Sequence, residues 1–91
     1  MTCHVLTNHA SVLSLIANDP GIRLRDVAAA LDLTDRAIHR IVCELEEDGY
    51  LTRHRTGRRN FYEVHAERPL ERALAEDRTI GDLLGVLLPE R

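Results

Sequence analysis

The 91-residue chain has no lysine, and all twelve of its basic residues are arginine. Against fifteen Asp and Glu they leave a formal net charge of -3. No general attraction to polyanions follows from that balance, so any affinity for nucleic acid must come from a local basic face. The missing lysine itself carries little functional weight. No apolar run comes near the roughly 18 residues of a membrane-spanning helix, and the N-terminus lacks the charged and apolar regions of a signal peptide; a cytoplasmic protein that does not enter membranes is expected. Two cysteines, Cys3 and Cys43, are too few for a disulfide framework. With His4, His9 and His39 they are the candidate ligands of a metal- or thiol-responsive sensor, but no C-x-x-C or H-x-x-x-H spacing concentrates them. A Gly-rich phosphate loop, a nucleophile elbow and an HExxH motif are all missing, so no enzyme is expected and no cofactor is implied.

What is present is enough to fold. Hydrophobic residues make up 44% of the chain and charged residues 30%, the balance of a globular protein, and the length suits one domain with a modest core. Met1 to Leu6 is a short apolar lead-in or strand. Thr7 or Asn8 can cap a first helix with Val12, Leu13, Ile16 and Ala17 inward, ended by Asn18-Asp19-Pro20-Gly21. A second helix runs from about Leu24 to Leu31, with Val27, Ala28 and Leu31 inward and Ala29 and Ala30 allowing close approach. Arg23 stands where a capping Ser or Thr would be expected. Asp32-Leu33-Thr34 then makes a tight turn into a third helix, and two short helices so joined form a helix-turn-helix.

The stretch from Thr34 to Val64 carries most of the chemistry. Thr34 is a good N-cap, with Asp35 favourable at the positive end of the dipole. Ile38, Ile41, Val42 and Leu45 fall at i, i+3, i+4 and i+7, the stripe a helix buries. Arg36, His39, Arg40 and Cys43 lie on the opposite side. Such a helix, apolar behind and cationic in front, suits a DNA major groove. Glu44, Glu46, Glu47 and Asp48 fill its second half, where phosphate would repel them, so only the first two turns can approach DNA. Gly49 closes the helix. Beyond it, Tyr50 to Arg55 and Arg59 to His65 alternate as strands, with Thr56-Gly57 supplying the turn. Between Thr52 and Asn60 this hairpin holds Arg53, Arg55, Arg58 and Arg59 and no acid, a local charge of +4 with His54 neutral.

The run LRDVAAALDLTDRAIHRIVCELEEDGYLTRHRTGRRNFYEV resembles the winged helix-turn-helix of bacterial transcriptional regulators of MarR-like type, over roughly residues 8–65. The resemblance implies a mainly α fold with a small β-hairpin, a winged helix-turn-helix to which the sequence adds a C-terminal helix. It implies a regulator of transcription whose partner is double-stranded DNA, with recognition helix 34–48 in the major groove and wing 52–60 on the backbone or minor groove. Carried over by position, Arg36, His39 and Arg40 are the groove contacts and Arg53, Arg55, Arg58 and Arg59 the wing contacts, with Thr34 also among the DNA-binding residues. One departure is Asp32, where such turns often have Gly, although Asp tolerates the left-handed region better than most residues. The acidic overall balance favours the alternative, a winged helix that binds protein.

Residues 67–91 form a second segment after the domain of residues 1–66. Pro69 suits the first turn of a helix carrying Leu70, Ala73 and Leu74. Thr79 caps another, in which Ile80, Leu83, Leu84 and Leu87 repeat the buried spacing and Leu88 widens the stripe. These five leucine and isoleucine residues either complete the monomer's core or pair with a second copy in a homodimer, an arrangement that such regulators tend to make through terminal helices.

Overall fold

The computed structural model describes residues 6–70 and 78–88. In chain order these hold α1 (Asn8–Asn18), α2 (Leu24–Leu31), α3 (Asp35–Glu47), β1 (Leu51–Thr56), β2 (Arg59–Val64) and α4 (Ile80–Leu87). The expected lead-in at Met1 to Leu6 lies, except for Leu6, outside the described residues.

Each of the first three helices contributes one stripe to a shared core. Val12, Leu13 and Ile16 come from α1, Val27 and Ala28 from α2, and Ile38, Ile41, Val42 and Leu45 from α3. Leu51 and Tyr62 close the core from the hairpin, and Ile80 and Leu84 from α4. Ala29 and Ala30 do not admit a neighbouring helix as expected. Both are exposed: at 100° per residue Ala29 falls on the far side of α2 from the stripe of Val27, Ala28 and Leu31, and Ala30 on its flank.

Local chemistry sets the ends of these elements. Thr7 caps α1 by accepting from the Ala10 N–H at 3.2 Å, and Thr34 caps α3 by accepting from the Ala37 N–H at 3.1 Å. Between α2 and α3 the chain reverses through Asp32, which holds φ 56° and ψ 45°. That left-handed residue lets the Leu33 N–H reach the Ala28 carbonyl at 2.9 Å and the Asp32 N–H reach Ala29 at 3.3 Å, the pairing of a Schellman turn. The same motif ends α3: Gly49 sits at φ 83°, Tyr50 N–H donates to the Leu45 carbonyl at 2.9 Å and Gly49 N–H to Glu46 at 3.1 Å. Tyr50 therefore belongs to the helix stop, and the strand starts one residue later than its sequence suggests.

In the hairpin Leu51 pairs with Val64 and Thr56 with Arg59. The turn is thus Gly57-Arg58 and not Thr56-Gly57. Gly57 takes φ 61° at the first turn position, where a two-residue loop demands positive φ; Thr56, β-branched, stays extended in the strand. A backbone bond from the Tyr62 N–H to the Pro20 carbonyl, 3.0 Å, ties β2 to the loop between α1 and α2. This bond fixes the wing's position relative to the helices.

The C-terminal part departs from expectation at Pro69. Pro69 itself forms an antiparallel bridge with Thr79, flanked by Leu70 N–H to Arg78 carbonyl at 2.9 Å and Ile80 N–H to Arg68 carbonyl at 2.8 Å. Its neighbours supply every donor, so the missing proline N–H does no harm. Residues 71–77, including Ala73 and Leu74, lie outside the described residues. Thr79 then caps α4 in a reciprocal box: it accepts from the Asp82 N–H at 3.2 Å while Asp82 accepts from the Thr79 N–H at 2.9 Å. The helix lies against α1. Its Ile80 and Leu84 are buried, Leu83, Leu87 and Leu88 are half-buried, and Val86 is 83% exposed.

Candidate nucleic-acid interface

Helix α3 separates its charges along its length. At its front Thr34, Arg36, His39 and Arg40 are all exposed. Among the described residues Arg36, His39 and Arg40 meet no ion-pair or hydrogen-bond partner, and Thr34 accepts through its oxygen in the cap while its O–H remains free to donate. The acidic second half is answered in part from within the chain. Glu44 pairs with His9 of α1 at 2.9 Å and Glu46 with Arg53 of β1 at 2.8 Å. Arg68 donates to the Asp48 carbonyl at 2.9 Å and lies over the Tyr50 ring, a cation at the negative end of the helix dipole. Of these carboxylates Glu46 alone meets an arginine, an exposed pair contributing ~0–1 kcal/mol.

The four wing arginines are not equivalent. Arg53 faces inward, paired to Glu46 and stacked over the Tyr62 ring at 5.8 Å; it braces the wing against α3. Arg55 donates from Nε to the Gly57 carbonyl at 3.1 Å and so stiffens the turn. Arg59 donates to the Gly21 carbonyl at 2.8 Å and covers the Phe61 ring. Gly21 is closely packed there, since a Cβ would stand 3.0 Å from Phe61 Cε1. Arg58, at the tip, meets no such partner among the described residues. His54, on the outer face of the wing, is bonded to Glu63 at 3.0 Å, and that bond, ahead of all other influences, holds the Glu63 carboxyl below its ordinary range.

Between wing, α3 and the start of α2 lies a cleft of about 500 Å³. Arg58 and Arg59 line it from the wing, His39 from α3, and Arg23 and Arg25 from α2; no acidic residue does. Arg53 and Arg55 are not among its walls. Tyr62, 4% exposed, also lines it, and its buried hydroxyl has no partner at hydrogen-bonding geometry. Burial pushes this phenol above its ordinary value, an effect that Arg53 and, more weakly, the neighbouring Asn60 side chain oppose. Sequence reasoning missed Arg23 and Arg25. The signal was present in the poor cap at Arg23, since a residue that cannot cap leaves the first N–H groups of α2 unanswered.

Cys43 is exposed on the front of α3. Among the described residues no three His, Cys, Asp or Glu side chains are grouped to hold a metal, and no helix is long and apolar enough to cross a membrane. Cys3 and His4 lie outside the described residues.

Two helices joined by a tight turn, the second followed at once by a wing, define a winged helix-turn-helix. Residues 5–59, well over half of the chain, match the MarR family, and the chain belongs to it. Regulators of this family are generally not enzymes. Comparison with curated proteins and with solved structures gives no match.

Proposed function

We propose that the chain regulates transcription by binding specific double-stranded DNA, with the first two turns of α3 in the major groove and the wing on the adjoining backbone or minor groove. The observation that carries this reading is the split of α3: Arg36, His39 and Arg40 are exposed and unpaired among the described residues, while of the acids behind them Glu46 is paired to Arg53 and Glu44 is bonded to His9. A helix shaped only by solvation would have no reason to sort its charges so. Arg36 and Arg40 read base edges, Thr34 meets a phosphate, and Arg58 at the tip makes the wing's main contact; Arg53, Arg55 and Arg59 chiefly hold the wing in position. We further propose a homodimer, since one recognition helix covers a short half-site and two-fold pairing sets two of them about 34 Å apart or a multiple of it. Leu83, Val86, Leu87 and Leu88 of the α4 segment supply the apolar surface that remains once Ile80 and Leu84 are buried in the core.

The test is binding to duplexes selected by the wild-type chain from a random pool. Arg36→Ala or Arg40→Ala should each lower specific affinity by ~1–3 kcal/mol if it makes a bidentate base contact, with melting unchanged. Wild-type binding in both variants would remove α3 from the groove.

A further inference from the structure

We propose that DNA binding by this chain is coupled to the uptake of a proton at His39, so that affinity rises as pH falls through the neutral range. This rests on the DNA-binding reading and adds to it a control that the reading does not require. Its ground is the unequal placing of the histidines. His9 is bonded to Glu44 at 2.9 Å and His54 to Glu63 at 3.0 Å, while His65 lies 3.5 Å from Glu67 and shares a hydrogen bond with Thr52. Each of these rings already has a carboxylate beside it. Among the described histidines His39 alone has none. It is exposed on the front of α3, takes part in no hydrogen bond or ion pair, and lines the cleft between α2, α3 and the wing. The charged groups that share this cleft are all cations, Arg23 and Arg25 from α2 and Arg58 and Arg59 from the wing. Tyr62, its phenol raised above the ordinary value by burial, stays neutral through this range. On α3 itself Arg36 and Arg40 are close in sequence and Cys43 lies one turn on, while Asp35, one turn back, does not reach the ring at ion-pair distance. Glu44 and Glu46, further along the helix, are bonded to His9 and Arg53.

A proton on His39 therefore meets no anion in the free chain, and DNA supplies one. Histidine is the side chain whose ordinary titration falls between about pH 5 and 8, and an opposite charge within ~4–6 Å favours its protonated form. The proton passes from solvent to the ring nitrogen that is bare in the neutral imidazole, after which both nitrogens donate. A phosphate oxygen beside the first two turns of α3 accepts from one of them. The bound state holds the extra proton, so the added affinity is complete at the acid end and is lost as pH rises. His9, His54 and His65 keep their carboxylates whether or not DNA is present. The Glu63 carboxyl, held below its ordinary range chiefly by the bond to His54, stays charged throughout.

The experiment measures binding of the full chain to a wild-type-selected duplex and to an unrelated one, from about pH 7.5 down to about pH 5.5, the range in which histidine titrates. Affinity for both should rise on the order of tenfold toward the acid end. The log-log salt slope there should steepen by up to about 0.9, the value of one more phosphate neutralised. Calorimetry in two buffers of different ionisation enthalpy should show up to about one proton taken up per chain bound. His39→Gln, at an exposed position, should lose all three responses, and His9→Gln and His54→Gln should keep them. In the wild type the ring C–H resonances of His39 should turn over at higher pH with the duplex than without it. A wild-type affinity that is flat in pH, or a response that survives His39→Gln, would overturn the proposal and leave the DNA reading standing. So would an unmoved His39 midpoint, which decides the matter even where the His39→Gln chain binds no duplex. A response confined to the selected duplex would overturn phosphate as the acceptor. A wild type that binds neither duplex at any pH overturns the DNA reading itself, and the proton coupling with it.

Discussion

Replacing Asp32 by Gly should stabilise the protein, and the reason lies wholly in the backbone. Asp32 is the one non-glycine residue with positive φ among those described, at φ 56°. An L-residue there bears a steric penalty of roughly 1–2 kcal/mol, less for Asp than for most. Asp32 is exposed and places a carboxylate at the negative end of the α2 dipole, unfavourable by about 0.3–1 kcal/mol. Glycine removes both terms but loses about 0.5–1 kcal/mol through the greater freedom of the unfolded chain. The net gain is about 1 kcal/mol, or roughly 4–8 °C in Tm for a domain of this size. Asp32→Asn separates the contributions, because it keeps tolerance of the left-handed region and loses only the charge; about a third of the gain is expected. Differential scanning calorimetry and urea titration measure both variants. DNA affinity should hold, since the bonds from Leu33 and Asp32 that orient α3 are backbone bonds. A Gly variant no more stable than wild type would refute the assignment of strain to this residue, and one that also lost DNA binding would show the carboxylate itself to be needed.

Two further outcomes are expected. Leu84→Ala should cost about 2–3 kcal/mol, the low end for a buried leucine because α4 lies at the edge of the core, whereas Leu87→Glu should leave monomer stability within about 1 kcal/mol and convert the proposed dimer to a monomer in sedimentation; a Leu87→Glu chain that unfolds would place that residue in the core. Tyr62, its phenol raised above the ordinary value of 10.0 by burial, keeps in the folded state a proton that the unfolded chain releases, so its contribution is complete below about pH 10 and is lost as pH rises through the folded value. Tyr62→Phe should therefore flatten the alkaline fall in stability seen by urea titration between pH 9 and 11, and at pH 7 should add about 1 kcal/mol by removing the unanswered hydroxyl; parallel pH curves for the two proteins would refute the buried, unpaired phenol.

Periodicity in the sequence was sufficient to place α1, α2, α3 and α4 and most of their inward faces. Ile38, Ile41, Val42 and Leu45 are buried as their spacing requires, because a helix repeats every 3.6 residues whatever surrounds it. Thr7, Thr34, Gly49 and Thr79 marked ends correctly for a similar reason: capping is a matter of a few adjacent atoms. Long-range pairing was not legible. Nothing local told Glu46 from Glu47, yet Glu46 meets Arg53 across seven residues, and Glu44 meets His9 across thirty-five. Equal as letters, the wing arginines were sorted into braces and a free tip by what each strand face met, Gly21 in one case and Glu46 in another. Pro69 read as a helix start because proline suits a first turn, and only the chain returning at Thr79 shows that Pro69 itself is held in a bridge. The cleft of Arg23, Arg25, His39, Arg58 and Arg59 joins segments up to thirty-six positions apart. Such a site exists only where the packed core sets α2, α3 and the wing side by side, and charge at a distance in sequence becomes charge at one place by tertiary structure alone.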